Sequence, residues 1–464
     1  MEVFVKIVQL VLALSLLVAI HEAGHFFMAR IFKIRVEKFF IFFDPWFSLL
    51  SWRKSRNGGK EIKLFDRKVW DNGTEIDDKQ STEYGMGWLP LGGYVKIAGM
   101  IDESMDTEQM KQPVQQDEFR AKPAWQRFMV MIAGVVMNVI LAIVLYCGIS
   151  YYWGESYFDN EDAKWGYMFN ESGHALGFED GDRFISIDKE NVGDINGIIN
   201  SLLLTADGRE VVVERRGEPV TLNLTFEQLL EMRQKEGYKN LFTLRMPVLV
   251  DSVTYPSAIA AGLTHGDEIV KVGESEVKDF ISFTNDLAQM RDTAALFTVK
   301  RGEDFVQLTM PIDSDGKVGF VALNPYSMRT RNYTFWESIP AGFRRTGKMI
   351  SSYWEQIKLI VQPKSKMYEE LGGFIAIGSI FPSEWNWQDF WLKTAFLSII
   401  LAIMNILPIP GLDGGHALFT LWEMVTGRRP SDKFLEVMQW IGLLLLFALL
   451  IYANGNDIYR FFIK

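Results

Sequence analysis

A chain of 464 residues that is 48% apolar yet has a mean hydropathy of only +0.04 mixes apolar spans with water-facing segments, and it has room for roughly two to four domains. The net charge of -10 and pI near 5.3 leave no basic footprint, which excludes nucleic acid as a partner. A single cysteine, Cys147, excludes an intramolecular disulfide and is expected to be a small buried residue of a span.

Residues 1–30 are predicted to form the first transmembrane helix. Val3 to Ile20 is apolar apart from Lys6 and a few uncharged polar residues, and Phe26-Phe27-Met28-Ala29 extends the run to Arg30. The rival reading, a cleaved signal peptide, lacks a basic leading region and a small-residue cleavage site. Inside this span stands His21-Glu22-Ala23-Gly24-His25, an H-E-x-x-H motif. Side chains four apart on a helix share a face, so His21 and His25 can present two imidazoles to one zinc ion with Glu22 beside them.

Residues 31–127 read as a polar loop whose lysines and arginines crowd both membrane edges. Within it, 83–97 is predicted to be a membrane-associated β-hairpin, two short strands around Pro90-Leu91-Gly92-Gly93. Its edge is expected to receive an extended chain, which makes Tyr84, Gly85, Met86, Gly87, Gly92 and Gly93 candidate substrate-binding residues. Residues 128–152 carry no charge and form the second span. Asn138 within it reads first as helix-to-helix glue, with a catalytic role as the rival.

Acidic residues follow the second span, so the positive-inside rule makes the 31–127 loop cytoplasmic and places both termini and the 153–391 region on the other side. That region holds an internal repeat. Gly177-Phe178-Glu179-Asp180-Gly181-Asp182 and the strand after it align without gaps to Gly262-Leu263-Thr264-His265-Gly266-Asp267 and its strand. The pattern of short helix, tight turn and alternating strand resembles the PDZ fold, so 160–245 and 246–320 are expected to be two tandem PDZ-like α+β domains that bind peptide ends. His174 and His265 read as surface histidines.

Residues 321–391 read as an amphipathic region with interfacial tryptophans. The third transmembrane segment, 392–416, breaks at Pro408-Ile409-Pro410-Gly411-Leu412-Asp413-Gly414-Gly415-His416, and 434–453 is the fourth span. Irregular backbone at membrane depth must face protein or a cavity, so the break should line a site. A catalytic zinc takes three protein ligands, and by residue chemistry alone Asp413 and His416 are both candidates for the third, with a turn-capping role as the rival for Asp413.

Together, H-E-x-x-H in the first span, the tandem repeats, and Asn405-x-x-Pro408-x-x-x-Leu412-Asp413-Gly414 in the third span resemble the site-2 proteases, intramembrane zinc metalloproteases, and among them the bacterial branch that regulates sigma E. The resemblance implies a polytopic α-helical membrane protein of four transmembrane helices. It implies one Zn2+ held by His21, His25 and Asp413, Glu22 as general base, and Asn405 near the scissile bond. It further implies a bacterial inner-membrane location among membrane lipid, periplasmic termini and PDZ domains, and a single-span, anti-sigma-factor-like substrate trimmed beforehand by another protease. One departure is Ala133-Gly134-Val135, where many relatives have proline after the glycine, and it bears on the local shape of the second span. The rival functions are a non-catalytic PDZ-bearing membrane scaffold and zinc transport, the latter without the inverted repeat that many transporters carry.

Overall fold

The computed structural model describes residues 2–54, 60–67, 82–89, 92–100, 113–205, 207–234, 238 and 240–463. It divides into two compact units, Met1–Gly154 with Asn332–Lys464, and Glu155–Arg331.

In the first unit, α1 (Glu2–Ile31) is apolar on all sides, contains no proline, and at 30 residues extends about 45 Å. It ends where Lys33 turns left-handed at φ 56° and the Ile34 N–H donates to the Ala29 carbonyl at 2.8 Å. Five strands follow: β1 (Val36–Ile41), β2 (Phe43–Lys54), β3 (Lys60–Arg67), β4 (Glu83–Leu89) and β5 (Tyr94–Ile97). They form one sheet in the order β3-β2-β4-β1-β5. The expected two-stranded hairpin over 83–97 is therefore not what forms, because β1 lies between β4 and β5, parallel to the first and antiparallel to the second. Glycine makes this possible: a Cβ at Gly85 would stand 2.3 Å from the Phe40 ring, and one at Gly93 would stand 2.5 Å from the Phe40 carbonyl oxygen. The intervening strand needs the space that side chains there would take. Pro90 and Leu91 of the expected turn lie outside the described residues.

Residues paired across the ladder share a face, so two rows of large side chains run over one side of this sheet. Leu64, Leu50, Met86 and Ile41 make one row, and Ile62, Trp52, Tyr84, Phe39 and Val95 make the other. α1 covers the inner part, with Phe26 set against Phe39 and Tyr84 at ring distances of 5.4 and 5.9 Å. The outer part, with Leu50, Ile62, Leu64 and Met86, is exposed. α2 (Ala124–Trp153) starts after Pro123 and runs through Gly134-Val135 without a break, so the missing proline costs this span no regularity.

The second unit contains β6 (Glu155–Tyr157), β7 (Tyr167–Phe169), α3 (Glu171–Ala175), β8 (Arg183–Ile187), β9 (Glu190–Asn191), α4 (Ile195–Leu203), β10 (Arg209–Arg215), β11 (Glu218–Leu224), α5 (Phe226–Gln234) and β12 (Phe242–Leu244). It continues with β13 (Val250–Val253), α6 (Pro256–Ala260), β14 (Glu268–Val272), β15 (Ser275–Glu276), α7 (Phe280–Gln289), β16 (Ala294–Arg301), β17 (Asp304–Pro311), β18 (Phe320–Ala322) and β19 (Arg329–Arg331). Two repeats share one topology. Each has a four-stranded sheet, β11-β10-β8-β9 in the first and β17-β16-β14-β15 in the second, and a two-stranded ladder, β7 with β12 and β13 with β18. Each wraps its own aromatic and aliphatic core, centred on Phe184 in one and Phe297 in the other. Both repeats also bury the aspartate of their G-x-x-x-G-D turn under an arginine fork. Arg215 donates to both Asp182 oxygens at 2.8 and 2.7 Å and to the Gly177 carbonyl, and Arg301 does the same to Asp267, at 2.7 and 2.8 Å, and to the Gly262 carbonyl.

Back in the first unit, α8 (Phe335–Val361) is closed at its start by a Thr334–Glu337 capping box, and α9 (Phe374–Ser379) is a short helix after Gly372-Gly373. α10 (Trp387–Ile406) begins earlier than the sequence suggests. The Asn386 side chain accepts from the Asp389 N–H and starts the helix there, so Trp387 and Trp391 belong to the span rather than to an amphipathic lead-in. The break occupies 407–412, and α11 (Asp413–Thr426) then continues the third segment ten residues beyond its expected end at 416. α12 (Asp432–Ile458) follows. Among the described residues four helices are long and apolar enough to cross a membrane: Glu2–Ile31, Ala124–Trp153, Trp387–Ile406 and Lys433–Phe461.

The Asp267 carboxylate supplies a pH test of the second unit. Burial would raise its pKa, but the hydrogen bonds from Arg301 and from the Thr264 backbone N–H outweigh burial and hold it below the ordinary carboxylate value. A depressed folded-state pKa stabilises above the unfolded value, about 4, and that contribution disappears as pH falls through the folded value. The protection of β14 and β16 amides against hydrogen exchange, relative to the intrinsic rate, should therefore fall below about pH 4 in the intact protein, and Asp267→Asn should flatten this pH dependence while lowering protection at neutral pH.

Candidate metal centre

α1 and the start of α11 build this site. His21 and His25, one turn apart, are both buried, and their rings meet edge-on with centroids 4.8 Å apart. Asp413 is the first residue of α11, so the chain break delivers it. Leu407, ahead of Pro408, is extended and ends α10, because the proline ring disfavours a helical residue before it. The chain then folds back so tightly that a Cβ on Gly414 would lie 2.2 Å from the Leu407 carbonyl oxygen, and one on Gly415 would lie 2.6 Å from that of Ile409. At the far end of α11, Glu423 accepts from the Arg127 guanidinium at 2.5 Å and ties the helix to α2.

Asp413 Oδ2 lies 2.9 Å from His21 Nε2 and 3.3 Å from His25 Nε2, and the two Nε2 atoms are 3.2 Å apart. Among the described residues these three side chains form the one group of potential ligands whose atoms all lie within 4.8 Å of one another. Asp413 Oδ2 is buried and makes no hydrogen bond of acceptable geometry. Two imidazole nitrogens and a carboxylate oxygen turned toward one point, in surroundings with little water, suit a cation with three protein ligands and an open position, the arrangement of a catalytic zinc.

The donor set stands against α2. The His25 Nδ1–H donates to the Val130 carbonyl at 2.8 Å, the Asn138 amide is 3.1 Å from His21 Nδ1, and Gly134 lies between them. A Cβ at Gly134 would come within 2.5 Å of His25 Nε2 and 2.6 Å of His21 Cε1. Gly24 does the reciprocal service on α1, where a Cβ would stand 2.5 Å from the Ala133 carbonyl oxygen. Two spans touch at the site because both are bare there.

The sequence profile of peptidase family M50 matches residues 9–58 and 72–449. The chain belongs to peptidase family M50. It is similar to the regulator of sigma E protease of Haemophilus influenzae, 28% identical over 482 aligned positions that cover 97% of this chain and 98% of that one. It is also similar to metalloprotease MmpA of Caulobacter vibrioides, 25% identical over 98% of this chain and 96% of that protein, and to a protein of Rickettsia conorii named as a zinc metalloprotease, 24% identical over 98% and 99%. This M50 chain is accordingly a zinc-dependent metalloprotease of the membrane.

The other residues singled out from sequence fall at varied distances from the centre of this M50 peptidase. Glu22 is half-buried on α1 beside the two histidines. Asn405, in the last turn of α10, brings its amide nitrogen to 3.3 Å from His21 Nε2. His416, the rival third ligand, is half-buried one turn along α11 and is not among the three converging groups. Gly85, Gly87 and Gly93 have no room for side chains, with Gly87 packed against the Phe43 carbonyl, and Gly92 sits at φ 143° beside the Phe43 ring. Tyr84 stacks on Trp52 at 4.4 Å, and Met86 is exposed on the outer sheet face. Sequence reasoning missed the contribution of Val130 and Gly134. Their spacing with Asn138, four and four, repeats the four-residue spacing of His21 and His25 and was the available signal.

Gly134→Ala should weaken zinc retention about tenfold or more, by forcing the imidazoles apart, while leaving the helical content unchanged. Zinc remaining after dialysis against a graded chelator measures this, with Gly148→Ala, where a Cβ meets nothing within 4 Å, as the control.

Proposed function

We propose that this protein cuts a peptide bond in or near the transmembrane segment of a single-span membrane protein, with His21, His25 and Asp413 holding zinc. The observation that carries this reading is the convergence of those three side chains, from segments nearly four hundred positions apart, beside apolar spans. Zinc held there would supply an acidified water and a polarised substrate carbonyl. Glu22 takes the water's proton on its carboxylate and returns it to the leaving nitrogen. The Asn405 amide N–H donates to the carbonyl oxygen as charge develops there.

A spanning helix keeps its peptide groups hydrogen-bonded, so substrate must unwind before it is cut, and the freed groups need new partners. Among the described strands β5 pairs with β1, and its Val95 and Ile97 pack in the same cluster as Val130 and Ala417, next to the metal centre. We assign β5, which ends the described strand order, as the strand that receives unwound substrate, in place of the hairpin expected from sequence. The role of 155–331 in this reading is that of two PDZ-like domains, which bind peptide ends or reject substrates with large outer parts. Similarity to a regulator of sigma E supports an anti-sigma-factor-like substrate, trimmed first by another protease, in a bacterial inner membrane with 31–127 on the cytoplasmic side.

Purified protein mixed with a tagged single-span substrate should release a cleaved product that is lost with a chelator and recovered with zinc. Glu22→Gln should retain zinc and lose cleavage by at least about a thousandfold. Cleavage that persists in Glu22→Gln would overturn the assignment of the base, and zinc retained in full by Asp413→Ala would overturn the ligand set. Lys96→Pro in β5 should reduce turnover with zinc content unchanged, and undiminished turnover would remove the substrate strand from the proposal.

A further inference from the structure

Asn138 is fully buried and lies eight residues, or just over two turns, beyond Val130 on the α2 face that holds the histidines. Three facts define its surroundings. Its amide is 3.1 Å from His21 Nδ1, the ring nitrogen opposite the one that faces Asp413 and His25. Its Oδ1 is buried with no hydrogen-bond partner among the described residues. Its backbone carbonyl accepts from the Ser398 hydroxyl at 2.8 Å, which pins this turn of α2 to α10.

An imidazole that offers Nε2 as a metal ligand carries its proton on Nδ1, and that proton needs an acceptor. His25 has the Val130 carbonyl. Among the described residues His21 Nδ1 has the Asn138 amide as its neighbour, which presents either its oxygen or its nitrogen to that spot by a half-turn about its terminal bond. With nitrogen toward the ring, Nδ1 must be the acceptor and the ring proton moves to Nε2, where it opposes metal binding. With oxygen toward the ring, Nδ1–H is held, Nε2 is left with its lone pair, and the imidazole plane is fixed.

We propose that Asn138 is a positioning residue for the metal centre: its amide oxygen accepts the Nδ1 proton of His21, selects the tautomer that binds metal through Nε2, and aims the ring. α2 then supplies the outer support of both histidines, a carbonyl for His25 and an amide for His21. The inference rests on the reading of His21 as a ligand.

Zinc affinity of the full-length protein in detergent, measured by competition with a chromophoric chelator, tests it alongside the visible spectrum of the cobalt-loaded protein and the melting temperature. Asn138→Ala should weaken zinc binding about 10- to 100-fold and alter the cobalt spectrum. Asn138→Asp, whose carboxylate only accepts, should restore most of the affinity and the spectrum. Zinc affinity unchanged in Asn138→Ala, or lost in a folded Asn138→Asp as fully as in Asn138→Ala, would overturn the proposal. His21→Ala separates the two levels: full zinc affinity there overturns the ligand reading itself, whereas loss there with an unaffected Asn138→Ala overturns only the role of Asn138.

Discussion

Everything in the membrane unit answers to one electrostatic problem, that of placing two imidazoles and a carboxylate together among apolar helices. A carboxylate at membrane depth is costly unless it meets a cation or donors. His21 and His25 come from a regular helix at no conformational expense, since a one-turn spacing already aligns them. Asp413 cannot be supplied that way. It arrives because the third segment stops at Leu407, turns through 407–412 and restarts, so that its side chain heads a new helix facing α1. The prolines and the small residues of the break are the means, and the part-buried ion pair of Arg127 with Glu423 holds the restarted helix in line.

α2 is the least specialised of the spans by composition and the most involved in the geometry. It contributes no candidate ligand, yet Val130, Gly134 and Asn138 meet both histidines along one face. Polar groups within a span need partners, and here the Asn138 amide nitrogen meets His21 and the Asn138 backbone carbonyl meets Ser398 of α10. The same economy governs the sheet. Its strands satisfy one another's backbone groups, its covered face packs on Phe26 just past His25, and β5, last in the described strand order, lies beside the site. The candidate metal centre and β5 are thus neighbours through α1.

Much of the site was legible because local rules determine it. H-E-x-x-H sets two candidate ligands on one helix face with a candidate base beside them by spacing alone, and Pro408, Pro410, Gly411 and Gly414 declare a broken helix by backbone chemistry. The repeat of 155–331 was legible from the turn Gly181-Asp182 and its copy Gly266-Asp267, whereas the arginines that bury those aspartates, Arg215 and Arg301, lie more than thirty residues away and carry no local mark. The choice between Asp413 and His416 stayed open on residue chemistry, because both are ligands by nature and only the direction in which α11 restarts separates them.

The sequence by itself determined which segments are apolar enough to span a membrane, where the third of them must break, and which two histidines share a face. These depend on periodicity, residue polarity and the proline ring, all of which act over a few residues. Tertiary structure decided that β1 enters between β4 and β5, that Asp413 rather than His416 meets the histidines, and that Asn138 stands behind His21. Those outcomes depend on which side chains find room once distant segments pack, and the room is set by glycines whose neighbours, Phe40 for Gly85 and the two histidines for Gly134, are far away in the chain.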